Sequence, residues 1–188
     1  MTKKYLGLIV IGIICLLALA EVIYAATQTA DITVTVTCRK LSVSVSPSSY
    51  AFGNVNEGVG TVATSAITVT NDGNATETFQ LMLADPAGWT GDLTGTPAED
   101  HYKLGGVIRA TTDAAPVAGD FTDSEDYIST SYVSASSTVF AKTGDTSNGA
   151  SVAAAAARKL WFYFFAPSYS TVGTEQSITV TVKAIAAS

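Results

Sequence analysis

The single histidine of the chain, His101, limits the acid–base chemistry that the side chains can support. Glu99 and Asp100 precede it directly, but successive residues of a strand or loop do not point to one place. The sequence has no Gly-x-Ser-x-Gly motif for a nucleophilic serine and no Cys and His cluster with zinc-ligand spacing. It also has no glycine-rich phosphate loop ahead of a helix. We therefore predict no catalytic residues and do not expect an enzyme.

An acidic loop offers the best ligands for a metal ion. Asp120, Asp123, Glu125 and Asp126 lie within seven residues, and carboxylate oxygens are the ligands that calcium prefers. The spacing does not match an EF-hand loop, and no glycine stands at the turn that such a loop requires. A solvated acidic loop explains these residues as well as a calcium site does. Calcium is the only cofactor for which the sequence offers ligands.

One asparagine fits the pattern of a modification site. Residues 72–76 read Asp-Gly-Asn-Ala-Thr, which resembles the acidic-x-Asn-x-Thr acceptor of bacterial N-glycosylation, with Asn74 as the modified residue. The same residues suit a tight turn, because Asn, Asp and Gly tolerate positive φ. Both interpretations of Asn74 remain open at this point.

Residues 1–25 have the layout of a secretory signal peptide. Two lysines precede an uncharged apolar run over residues 6–20, and small residues follow at Ala25 and Ala26. A bilayer span requires about 20 residues, which is longer than this run. The alternative is a short leader cut after Gly7, which would leave a pilin-like hydrophobic helix. We expect a protein that is secreted to the extracellular space or cell surface and meets the membrane only during export.

The chain without residues 1–25 is acidic and has one cysteine. The full chain has ten basic and sixteen acidic side chains, and the leader removes two lysines and one glutamate, which leaves a net charge of −7. This charge disfavours binding to nucleic acid or to an anionic membrane surface. Cys38 has no partner for a disulfide within this chain, so it is either a small buried side chain or a bridge between subunits.

Composition and patterning predict an all-β fold. About a quarter of the residues after the leader are Ser or Thr, whereas Lys and Glu, which usually coat helices, are scarce. We predict a single antiparallel β-sandwich, immunoglobulin-like or jelly-roll-like, over residues 41–188. Residues 26–40 precede it and contain a separate N-terminal strand.

Alternation of apolar residues with a period of two marks the individual strands. The clearest predicted strands cover residues 31–38, 41–46, 62–70, 75–84, 101–109, 160–165 and 177–185. Residues 71–74 are predicted to form the turn of a hairpin. Residues 160–165 are apolar on both faces, so this strand is expected to be covered on both sides or to face another subunit.

The two opening strands do not share a face. The apolar residues of the first, Ile32, Val34, Val36 and Cys38, stand at even positions, whereas those of the second, from Leu41 onward, stand at odd positions. A bulge or a strand that passes from one sheet to the other would explain the change. So would a first strand that is donated to a neighbouring subunit, which would make the four even residues a subunit interface.

Several segments resemble known exported proteins. Residues 41–47, 50–53 and 66–74 resemble secreted bacterial immunoglobulin-like sandwiches, and residues 158–162, 166–167 and 176–182 resemble a family of mostly uncharacterised bacterial surface proteins. The turn at 71–74 and the strand that follows it are similar to those of TasA/camelysin fibre subunits. The last resemblance implies a jelly-roll-like sandwich that polymerises and has no catalytic role.

These observations favour a non-enzymatic structural subunit of an extracellular filament or cell-surface layer. Its partner would be further copies of the same chain, in a homo-oligomer or homopolymer joined by strand addition of residues 31–38. The alternative is a monomeric adhesion or glycan-binding module, in which exposed aromatic rings would stack on sugars. The aromatic candidates for that role are Tyr127, Tyr132, Trp161 and Tyr163.

Overall fold

The computed structural model describes residues 29–122 and 124–187. The chain forms two units, Met1–Thr37 and Cys38–Ser188. The predicted signal peptide at residues 1–25 lies outside the described residues, as do Asp123 and Ser188. Within the described residues, no helix is long and apolar enough to cross a membrane.

The described part of the second unit is built from β-strands, with one 3₁₀ turn at Ala118–Asp120. Its strands in chain order are β1 (Val43–Ser46), β2 (Gly60–Val62), β3 (Ile67–Asn71), β4 (Glu77–Ala84), β5 (Thr90–Gly91), β6 (His101–Arg109), β7 (Val133–Ser134), β8 (Ala157–Phe165) and β9 (Thr179–Ala186).

These strands form two sheets. The first has the order β1-β3-β8-β6-β5, with β2 also paired to β8, and the second has the order β7-β4-β9. The all-β class is confirmed, and two sheets that share a core are consistent with a β-sandwich. One pairing departs from the predicted antiparallel arrangement, because β5 pairs with β6 in parallel.

The core forms where the alternating faces of the two sheets meet. Phe79, Leu81 and Leu83 of β4 are buried, and the residues between them are partly exposed. They belong to one hydrophobic cluster with Val69 of β3 and Leu160 of β8, which lie in the other sheet. The period-two pattern thus directs one face of each strand into a shared interior.

Strand β8 is central and covered on both faces, as its apolar sequence predicts. It pairs with β6 on one side and with β2 and β3 on the other. Phe162 and Phe164 face the main core, whereas Tyr163 belongs to a second cluster with Phe121 and Tyr127 from the loop before β7. The acidic segment is therefore more than a surface loop, because it covers the outer face of β8.

The predicted hairpin at residues 71–74 is wrong, although the strands that flank it are present. Strand β3 pairs with β1 and β8, whereas β4 pairs with β7 and β9. The turn is therefore an arch that carries the chain from one sheet to the other. Alternation predicts each strand from its own residues, but it does not indicate which strand lies beside it.

Residues 29–42 form no strand, so the predicted strand at 31–38 does not exist within the described chain. A bulge or a strand shared between two sheets would require these residues to pair, and the structure contains neither arrangement there. Donation of this segment to a second copy stays a prediction.

Candidate functional site

The described part of the N-terminal unit exposes apolar side chains at alternate positions. Ile32, Val34 and Val36 expose 86%, 79% and 83% of their surface. Threonines stand between and after them, so the segment has the alternation of a half-buried strand while it lies outside any sheet. Cys38 is exposed and free, so the interpretation of Cys38 as a small buried side chain is wrong.

The chain that follows this segment is tied to the arch between β3 and β4. Backbone groups of Cys38, Lys40 and Ser42 bond to the side chains of Asn74 in the arch and Glu77 at the start of β4, and not to the backbone of a strand. We call four residues in and next to the arch the arch anchor, and they are Asn71, Gly73, Asn74 and Glu77.

Asn74 provides the outermost contacts of the arch anchor. Its side-chain Oδ1 accepts a hydrogen bond from the Lys40 amide at 2.7 Å, and its Nδ2 donates to the Cys38 carbonyl at 2.8 Å. The Asn74 backbone amide donates to the Lys40 carbonyl at 3.1 Å. The asparagine thus satisfies backbone groups that a neighbouring strand would otherwise satisfy.

Asn71 holds the arch in shape from inside. The residue is fully buried, and its Oδ1 accepts from the Gly73 amide at 2.8 Å. Its Nδ2 donates to the carbonyls of Ala75 and Val152 at 2.8 and 2.9 Å. Because three bonds satisfy this amide, its burial costs little free energy.

Glu77 connects the arch to the residue just before β1. Its side chain is fully buried, and Oε1 accepts from the Ser42 amide at 2.7 Å. Oε2 has no hydrogen-bond partner among the described residues. A Cβ added at Gly73 would lie 2.4 Å from Glu77 Oε1 and 2.5 Å from the Lys40 carbonyl oxygen, so only glycine fits between the two segments.

A charged residue at a core-facing position of β4 is a sequence signal for the arch anchor. Glu77 stands on the same face of β4 as Phe79 and Leu81, which are core residues. A carboxylate on an apolar face is costly to bury unless hydrogen bonds satisfy it. Its presence there therefore indicates a backbone donor nearby, which the structure identifies as Ser42.

The acidic loop uses its carboxylates for internal bonds. Asp120 forms an ion pair with Lys142 at 3.0 Å. Asp126 is buried, and its two oxygens accept from the amides of Thr122 and Ala141 at 3.0 and 3.1 Å. Both side chains therefore already have structural partners within the protein.

The other two predicted calcium ligands are Glu125 and Asp123. Glu125 lines the same shallow pocket as Asp120 and Asp126, and Asp123 lies outside the described residues. Within residues 29–122 and 124–187, no group of three His, Cys, Asp or Glu residues is arranged to hold a metal ion. Calcium binding stays a prediction.

His101 is part of a polar pair without a nucleophile. Its Nδ1 lies 2.9 Å from an oxygen of Asp92, and both side chains are partly exposed. Asp100 instead bonds to Ser170 and Thr171, and the Thr171 hydroxyl lowers the pKa of its carboxyl. No hydrogen bond among the described residues joins His101 to a serine, threonine or cysteine, so these neighbours do not form a triad.

The aromatic candidates for sugar binding mostly serve packing. Tyr127 and Tyr163 are buried in the cluster on the outer face of β8, and Trp161 packs against that cluster. Tyr132 is exposed and lies under the Lys183 ammonium at 4.9 Å from the ring centre. These positions do not form the exposed row of rings that would stack on a sugar chain.

Comparison of the chain with protein-family models, curated proteins and solved structures found no match. The exposed segment with Ile32, Val34 and Val36, together with the arch anchor, is the feature of this chain that bears on its function.

We predict that Asn74→Ala lowers the free energy of unfolding by about 1–2 kcal/mol, since it removes two hydrogen bonds. Amide exchange at residues 38–42, measured by mass spectrometry, should become faster while exchange in β4 and β8 is unchanged. Thr76→Ala is the control, because it destroys the glycosylation pattern but leaves the bonds of Asn74 in place. Equal effects of the two variants would show that modification of Asn74, and not anchoring, is its role.

Asp126 generates a prediction about pH. Burial raises the pKa of its carboxyl from 3.8 to about 6, the Glu125 charge adds to the rise, and the bonds from Thr122 and Ala141 oppose it. The neutral carboxyl is therefore favoured in the folded state, and its contribution is complete below pH 4 and lost as the pH rises to 6.

Urea unfolding of the native protein and of Asp126→Asn across pH 4–7 measures this contribution. We expect the native protein to lose about 2 kcal/mol relative to the variant between pH 4 and pH 6. Asp72→Asn, at an exposed position, serves as the control. A constant difference between the native protein and Asp126→Asn over this range would contradict the prediction.

Proposed function

We propose that this protein is a non-enzymatic structural subunit of an extracellular filament or cell-surface layer. In this proposal an exported sandwich, immunoglobulin-like or jelly-roll-like in type, receives residues 31–38 of a neighbouring copy as an added strand. The observation that supports it is the alternating exposed row of Ile32, Val34 and Val36.

The hydrophobic effect favours burial of this row. Transfer of a Val or Ile side chain from water to a protein interior is worth about 1.5–3 kcal/mol. Single exposed apolar residues are common on protein surfaces. Three such side chains on one face give a larger driving force for burial than any one of them. A second copy that covers them would also provide hydrogen bonds for the backbone of the segment.

The segment also lacks the features that prevent strands from pairing with other chains. No charged residue and no proline stands between Asp31 and Arg39, and such residues commonly protect free strands against association. The arch anchor makes its first contact with the chain at the Cys38 carbonyl, two residues after the apolar row ends at Val36. The residues available for donation and the residues fixed to the sandwich thus meet at one position.

Repeated donation would produce a filament. The donor segment of one copy and its acceptor on the next are different surfaces, so the contact is heterologous and leaves a free donor and a free acceptor at the two ends. The alternative, a monomeric adhesion or glycan-binding module, would depend on exposed rings such as Tyr132 and Tyr169, which lie singly.

We predict that replacing Ile32, Val34 and Val36 together by serine abolishes assembly, because the row no longer gains free energy from burial. Negative-stain microscopy and sedimentation of the secreted protein provide the measurement. The matched control replaces Thr33, Thr35 and Thr37 by serine, which changes the same segment equally often but keeps the apolar row.

The expected result is high-order assemblies for the native protein and for the threonine control, and monomers for the triple apolar variant. Urea unfolding of all three shows whether the sandwich itself is intact. Assemblies that persist in the triple apolar variant, or a native protein that remains monomeric, would overturn the proposed function.

A further inference from the structure

We propose that the acceptor for residues 31–38 is the free edge of strand β9 on a second copy of the chain. This inference rests on the proposed function and specifies where the donated strand binds.

Strand length favours β9 over the other free edges. Among the described strands, β1, β5, β7 and β9 lie at the ends of the two sheets, and β2 pairs only with β8. Strands β1, β2, β5 and β7 have four, three, two and two residues, whereas β9 has eight. Residues 31–38 also number eight, so β9 alone can pair with the segment along its whole length.

The backbone of β9 directs hydrogen-bonding groups to that edge, where no described strand pairs with them. The odd residues of β4, including Phe79 and Leu83, direct their amides away from β9, to the carbonyls of Gly149 and Ser129. The even residues of β4 therefore bond to β9, and in the observed register Gln80 lies opposite Lys183.

It follows that the odd residues of β9 bond to β4 and the even residues direct their amides and carbonyls to the open side. These are Val180, Val182 and Ala184, at the middle of the strand. No described strand other than β4 pairs with β9. An added strand would find three consecutive pairs of donors and acceptors there.

The side chains on this edge match the donor segment face by face. Ile178, Val180, Val182 and Ala184 point into the core but remain partly exposed. Residues that lie opposite each other in paired strands project to the same side. Ile32, Val34 and Val36 would therefore cover the open part of the core beside them.

The outward faces are compatible as well. On β9 this face has Thr179, Thr181, Lys183 and Ile185, and on the donor segment it has threonines. Threonine pairs across strands are favourable and tolerate water. A shift of the donor by one residue would put threonines into the core, so the alternation fixes which face turns inward.

Disulfide trapping tests the acceptor directly. In a Cys38→Ser background of the secreted protein, Val182→Cys is combined in turn with Ile32→Cys, Val34→Cys or Val36→Cys. We expect at least one pair to give a reducible ladder of covalent oligomers on gel electrophoresis. Val182→Cys with Thr33→Cys or Thr35→Cys is the matched control and should give no ladder, because these side chains project to the opposite face.

A backbone variant tests the same edge without new thiols. Val182→Pro removes an amide that faces the open side and leaves the bonds to β4 in place, as prolines at strand edges commonly do. We expect loss of assembly with a sandwich that still unfolds cooperatively in urea. Val182→Ala, which keeps the amide, should assemble.

The outcomes separate this inference from the proposed function. A ladder with Val45→Cys on β1 in place of Val182→Cys would overturn the β9 assignment, as would assembly of a folded Val182→Pro variant. A disulfide formed within one chain would show that the segment completes its own sandwich and would overturn both. If the triple serine variant loses assembly but no disulfide forms at β9, the assignment of β9 as the acceptor is overturned and the proposed function stands.

Discussion

The arch anchor is the constraint on which the other features of this molecule depend. The side chains of Asn74 and Glu77 bind the backbone at Cys38, Lys40 and Ser42, where no strand is present to do so. Asn71 holds the arch itself, and Gly73 leaves room for the Lys40 carbonyl. Backbone groups in a protein must find partners, and side-chain amides and carboxylates are suitable substitutes for a strand. The anchor defines where the chain joins the sandwich, and residues 29–37 before it pair with no described strand.

Apolar residues before and after the anchor differ in their burial. After Ser42, apolar residues enter a core that the same chain completes, as Val69, Leu81 and Leu160 show by their burial. Before Cys38, residues with equal apolar character remain in water. Between Asp31 and Arg39 the segment contains no charge or proline that would guard it against association, and β9 is a long strand that pairs with one described strand only. The proposed polymerisation would give both features a common reason.

Much of the fold is predictable from the sequence, because burial on one face imposes a period of two on strands such as β4 and β9. The double-sided apolar pattern of β8 likewise predicts its central position. The arch is not predictable in the same way, since Asn71 and Asn74 fit a hairpin turn and an arch equally well. Whether these residues form a hairpin turn or an arch depends on contacts with residues more than 30 positions away, such as those of Asn74 with Lys40 and Cys38. The burial of Asp126 also depends on contacts that its sequence neighbours do not reveal.

The most direct test of the account is a cryo-electron microscopy map of the native assemblies at a resolution that shows side chains. The account predicts a continuous strand of residues 31–38 inside each sandwich that leads to Leu41 of the adjacent subunit. A map in which Ile32, Val34 and Val36 lie in solvent, or within the sandwich of their own chain, would contradict it.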